Sequence, residues 1–101
     1  MFENLINLPD TYKEDIEKVV KILKEHGAKE VFIFGSIANG TFTENSDIDI
    51  AVKGLAAKDF YRVASILMLE LENEFDLIDL DDRGNRFSQM LLNVGRLLKV
   101  G

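Results

Sequence analysis

The chain has no cysteine, and one histidine and one proline among its 101 residues. Without cysteine it can build no disulfide scaffold, no thiolate zinc site and no thiol nucleophile. The lone His26 excludes a multi-histidine metal centre. Cations are outnumbered, 12 Lys and Arg against 18 Asp and Glu, for a net charge of −6. That weighs against a domain gripping long nucleic acid or an anionic membrane, since both need a basic face. There is no apolar run of roughly 18 residues, and the amino terminus lacks a basic stretch followed by an apolar one, so a soluble cytoplasmic protein is expected. There is no internal repeat, low-complexity stretch or linker, and one domain over residues 1–101 is expected. What is present is apolar substance, 47% of the residues, enough for a packed core. A core this small leaves modest stability, and self-association or a partner subunit would add to it.

Hydrophobic spacing predicts the elements. Residues 9–26 read as a helix, with Pro9 suited to its first position and Gly27 to its stop. Tyr12, Ile16, Val19, Val20 and Leu23 form its apolar stripe. Residues 30–34 read as a strand ending at Gly35. Residues 36–46 read as a loop with room for one helical turn at its start. A strand over 47–53, a helix over 57–73, a strand over 74–80 and a helix over 86–94 follow, with 97–100 as a short edge strand. The order α-β-loop-β-α-β-α predicts an α+β (mixed α/β) fold, a small mixed β-sheet packed with helices.

The chemistry concentrates on acids. Asp47 and Asp49 stand two apart in a strand, so both carboxylates share a face while Ile48, Ile50 and Val52 take the other. Two like charges side by side need full solvation or a compensating cation, and Mg²⁺ prefers such hard oxygen ligands. A third carboxylate on a neighbouring strand would complete a two-ion site, with metals ~3.5–4 Å apart. Asp76 and Asp79 are the candidates; they differ by three, so they face opposite sides of the sheet, and spacing alone leaves the choice open.

Gly35-Ser36 closes the first strand and opens the loop. Glycine permits close backbone approach, and the following amides and the Ser36 hydroxyl can point at phosphate oxygens. Gly40 lets the loop bend. No Gly-Lys-Ser/Thr follows, so this is not a Walker loop. A lone Gly-Ser is usually a turn, and a lone Asp-x-Asp usually a solvated strand edge. Gly-Ser, ten residues, then Asp-x-Asp is a far rarer combination, arising by chance about once per 10⁵ starting positions.

The run Gly35-Ser36-Ile37-Ala38-Asn39-Gly40 through Ser46-Asp47-Ile48-Asp49 resembles the signature of the DNA polymerase β-like nucleotidyltransferase superfamily, and most of all its minimal nucleotidyltransferase branch. Phe75-Asp76-Leu77-Ile78-Asp79-Leu80 is similar to that branch's third-carboxylate strand. The resemblance covers residues 9–100. It implies that Asp47 and Asp49 bind two Mg²⁺ ions and that Asp76 rather than Asp79 is the third carboxylate, aiding deprotonation of the acceptor. It implies that Gly35 and Ser36 hold the β- and γ-phosphates of ATP, with Ser46 in support. The reaction implied is transfer of AMP from ATP to a hydroxyl with release of pyrophosphate. The implied partner is a helical HEPN-domain toxin, which the nucleotidyltransferase antitoxin can adenylylate on a tyrosine. Family members often carry a basic residue where Ile37 or Asn39 stands here. Larger relatives append a helical acceptor-binding domain; here the acceptor site is expected to come from a second chain or from the acceptor itself.

The remaining residues read more plainly. His26 suits a helix end. Lys53, Arg83 and Arg86 suit solvated surface, and Asp81 and Asp82 a turn. In the second long helix Phe60, Val63, Ala64, Leu67 and Leu71 form a core stripe flanked by Tyr61 and Met68, while Ile66 and Leu69 lie opposite. With Leu92 on the last helix they suggest a protein interface. Two other functions compete with transfer to a protein. One is a catalytically weak binding module for a helical partner, and the other is transfer to a small-molecule hydroxyl.

Overall fold

A computed structural model of the chain describes residues 8–43 and 45–101. Helix α1 covers Asp10–Glu25. Its stripe of Tyr12, Ile16, Val19 and Leu23 is buried, as its spacing predicts. Pro9 stands one residue before the helix, and its carbonyl accepts from the amides of Tyr12 and Lys13 at 3.0 and 3.2 Å. At the far end the His26 ring donates through Nδ1 to the Ile22 carbonyl at 2.8 Å, the helix-end role expected of it.

Strand β1 (Glu30–Phe34) runs into a five-residue helix α2 (Gly35–Asn39), the turn for which the sequence left room. Then come β2 (Ile48–Lys53), α3 (Ala57–Glu70), β3 (Phe75–Asp79), α4 (Arg86–Val94) and the short β4 (Leu98–Lys99). The strands form a mixed sheet in the order β3-β2-β1-β4. β1 is antiparallel to β2 and β4, and β2 is parallel to β3. The parallel pair requires a crossover, which α3 supplies. The α+β sheet-and-helix fold read from the sequence is the fold observed.

Register sorts side chains by face. Val31 pairs with Val52 and Ile33 with Ile50. Ile48 pairs with Phe75 and Ile50 with Leu77. These residues join the main core with Val19 and Leu23 of α1 and Val63 and Leu67 of α3. On the opposite face Phe34, Ala51, Leu80 and Leu91 form a smaller core, to which α4 contributes Leu91. Among the described residues no helix is long and apolar enough to cross a membrane.

Most boundaries lie within a residue of the sequence expectation, and two of the shifts have a physical reason. Helix α3 stops at Glu70 rather than 73, because the buried Asp15 carboxylate takes the amides of Glu72 and Asn73 at 2.8–3.1 Å. Strand β2 begins at Ile48 rather than 47. The Ile48 amide bonds to the Glu74 carbonyl at 2.9 Å, and Asp47 is left exposed just outside the ladder.

Candidate active site

Asp49 of β2 lies directly opposite Asp76 of β3 in the parallel register. Neighbouring strands run about 4.8 Å apart, so the two carboxylates leave the same face side by side. Asp79 pairs with Val52, whose side chain belongs to the main core. The register thus puts Asp76, not Asp79, beside the Asp-x-Asp pair. Asp79 has a different occupation: its Oδ1 accepts from the Asp81 amide at 2.9 Å, and its carbonyl accepts from the Ser88 hydroxyl at 2.8 Å. In the turn after β3, Asp81 accepts from the Gly54 amide and Asp82 from the Gly84 amide, as expected of turn residues.

The acids crowd one another. The Asp49 carboxyl is pushed up to about 6, first by burial and then by the charges of Asp76 and Asp47. A carboxylate held against its neighbours in this way is what a bound cation would relieve. The donor set is all oxygen and fits a hard divalent ion by element, charge and face. Among the described residues no three His, Asp or Glu side chains are already drawn into a ready metal-binding group.

Gly35 stands at the edge of this cluster. Its φ is +72°, and a Cβ there would collide with the Asp49 carboxylate, so both backbone angle and space demand glycine. Ser36 follows, donating from Oγ to the Ser46 Oγ at 3.0 Å. Ser46 Oγ also accepts from the Thr43 amide at 3.0 Å, which ties the loop before β2 to the start of α2. The Gly-Ser and Asp-x-Asp segments, ten residues apart in sequence, are thereby neighbours. Helix α2 closes at Gly40 with a left-handed φ of +76°. Ile37 is 1% exposed and packs in the main core, whereas Asn39 is exposed. Of the two positions where a basic residue was a possibility, only 39 faces solvent. Lys53, Arg83 and Arg86 are all exposed, as their surface reading anticipated.

Two residues of α1 fix the segments that lead into the acids. Tyr12 was read as core, and it is buried. It also donates its hydroxyl to the Ser46 carbonyl at 2.9 Å, one residue before Asp47, and its ring meets Phe42 edge-on at 4.8 Å. Burial raises the Tyr12 hydroxyl pKa, and the charges of Asp47 and Asp15 add to it. Asp15, 1% exposed, went unread in the sequence. Besides the amides of Glu72 and Asn73, its carboxylate accepts from the Asn73 side-chain amide at 2.9 Å. It anchors the turn into β3, three residues before Asp76. The available signal was an acid on the apolar face of an amphipathic helix, next to Ile16 and Tyr12.

The chain is similar to several known proteins. The chain is 33% identical over 86 residues to the protein adenylyltransferase MntA of Shewanella oneidensis, an alignment covering 80% of this chain and 62% of that protein. The match therefore spans less than two thirds of the length of that relative. A crystal structure of a toxin–antitoxin with AMP-PNP superposes with a TM-score of 0.61 at 30% identity, over 80% of this chain and 69% of that one. A crystal structure of the toxin–antitoxin MntA-HepT gives a TM-score of 0.57 at 26% identity, over 84% and 69%. The sequence pattern of the family described as polymerase beta, nucleotidyltransferase, matches residues 17–100. That stretch takes in the whole sheet with all three acids, and the chain belongs to the polymerase β nucleotidyltransferase family.

Proposed function

We propose that the protein transfers AMP from ATP to a hydroxyl on a partner protein, as the antitoxin of a pair whose toxin is a helical HEPN-type chain. The observation that carries this reading is the Asp49–Asp76 register beside Gly35. The kinship with an MntA adenylyltransferase and with toxin–antitoxin complexes supports the protein acceptor.

Asp47, Asp49 and Asp76 would hold Mg²⁺, two ions in the full site. When bound, Mg²⁺ supplies neutralisation of the triphosphate charge and of the charge that develops on the leaving group. Gly35 lets the backbone approach the β- and γ-phosphates, and Ser36 offers them its hydroxyl, with Ser46 holding Ser36 in place. The acceptor oxygen attacks the α-phosphorus. An oxygen–phosphorus bond forms as the bond between the α-phosphorus and its bridging oxygen breaks, and pyrophosphate departs with that electron pair. Asp76 lies at the edge strand, where it can accept the proton leaving the acceptor hydroxyl.

The test uses ATP labelled at the α-phosphate, with Mg²⁺ and lysate from the protein's own source. A labelled protein band is expected with the native chain and is expected to vanish with the Asp47→Asn, Asp49→Asn double variant. Label from γ-labelled ATP instead would contradict nucleotidyl transfer. A second reading, a catalytically weak binding module, is favoured by Asn39, which puts no cation on the exposed side of α2. In that case the double variant would still neutralise its partner.

A further inference from the structure

Beside the edge strand β3 lies a groove of about 630 Å³. One wall is the flank of α3, from Phe60 and Tyr61 through Ala64 to Met68; the other is Phe75 and Leu77 of β3. Tyr61 and Met68 are 80% and 74% exposed, unusual for large apolar side chains on a helix that buries Val63 and Leu67 completely. The Tyr61 ring is braced edge-on against Phe60 at 5.4 Å, so the wall is built and not a loose side chain. The acids of the active site, Asp47 and Asp76, also line the groove, and Glu72 and Glu74 add their charges. Among the described residues no Lys, Arg or His lines it.

This surface does not suit the triphosphate of ATP, whose proposed place is at Gly35 and Ser36. With Asp47 and Asp76 given to Mg²⁺, Glu72 and Glu74 still leave the groove acidic. The groove instead complements a chain that is apolar along its length and positively charged at its flanks. We infer that the α3–β3 groove docks the acceptor: a basic, apolar protein segment whose hydroxyl-bearing residue reaches Asp76 at the groove's carboxylate end. The inference rests on the proposed transfer to a protein hydroxyl and adds where, and by what chemistry, that protein is held.

The probes are two synthetic peptides of equal length, each with one tyrosine among leucines, one flanked by lysine and arginine and the other by glutamate. Amide resonances of the ¹⁵N-labelled chain are followed first on adding Mg²⁺ with an ATP analogue carrying a methylene in its α–β bridge, then on adding peptide. Shifts at Gly35, Ser36 and Asp49 in the first step are required by the transfer reading, and their absence overturns that reading and the docking with it. In the second step the basic peptide is expected to shift Tyr61, Ala64, Met68 and Leu77, and the acidic peptide to bind at least tenfold more weakly. Met68→Lys, which removes apolar surface and adds a like charge, is expected to weaken the basic peptide tenfold or more while preserving the dispersed spectrum of a folded chain. Nucleotide shifts followed by peptide shifts confined to Phe87, Met90 and Leu92 on α4, or by none, would overturn the groove alone. So would a dimer in sedimentation that Met68→Lys dissociates, since the groove would then belong to a second copy.

Discussion

On the face of the sheet beneath α1 and α3, Ile33, Ile48, Ile50 and Val52 are fully buried in a core that both long helices close. On the opposite face the same strands present Phe34 and Ala51 to the short α4, and, farther along, Asp49 and Asp76. Neighbours in sequence therefore have opposite tasks, because a strand turns alternate residues to alternate faces. Ile50 holds the sheet in place, and Asp49 spends stability to set up a charged site. The difference teaches that the well-packed face is what allows like charges to be held together on the other.

That contrast can be broken from either side. The largest effect is expected from Ile50→Ala, which opens a cavity in the main core and should cost about 2–5 kcal/mol in urea unfolding. Next comes Asp15→Ala, which leaves the part-buried donors of Glu72 and Asn73 without their acceptor. A loss of about 1.5–3 kcal/mol is expected, together with a fall in transfer rate larger than that of a distant variant of equal stability, because the turn that places Asp76 is released. A loss of stability with no excess loss of rate would show that Asp15 merely packs.

The smallest effect is on the pH dependence of the metal-free chain. Asp49 is held more protonated in the folded chain, about 6, than the ordinary 3.8 of an unfolded aspartate. Its contribution to stability is therefore full below pH 3.8 and is lost as pH rises through about 6. Asp49→Asn should remove that loss. In chelator, the variant is expected to gain stability relative to the native chain as pH rises from 4 to 7, and added Mg²⁺ should narrow the gap by stabilising the native chain only. Equal pH profiles for the two proteins would contradict the crowding of charge at Asp49.

Much of this was legible in the sequence because period and punctuation agree with the fold. The alternation Asp47-Ile48-Asp49-Ile50 gave the two faces of β2 correctly, and β1 and α4 fall on their expected residues. What could not be read was pairing. Asp76 and Asp79 are equally plausible within one strand, and only the neighbour's register separates them; at the sequence level that choice leaned on family resemblance. Asp15 was missed for a related reason. Its partners, Glu72 and Asn73, are 57 and 58 residues away, and no local pattern announces a bond over that distance. The same bond explains why the spacing Leu67–Leu71 overextended α3. The exposed Tyr61 and Met68 were expected only to flank the core, and their role as a wall depends on where β3 ends up.

The most direct test of the account compares two asparagine substitutions on one strand. Asp76→Asn and Asp79→Asn each remove one charge from β3, and the second keeps the oxygen that accepts from the Asp81 amide. Retention of Mn²⁺ with ATP is measured by the loss of the free-ion signal in electron paramagnetic resonance. The account predicts that Asp76→Asn weakens retention at least tenfold and that Asp79→Asn holds the ion as the native chain does. Retention by Asp76→Asn with loss in Asp79→Asn would place the chemistry on the wrong face of the sheet and contradict it.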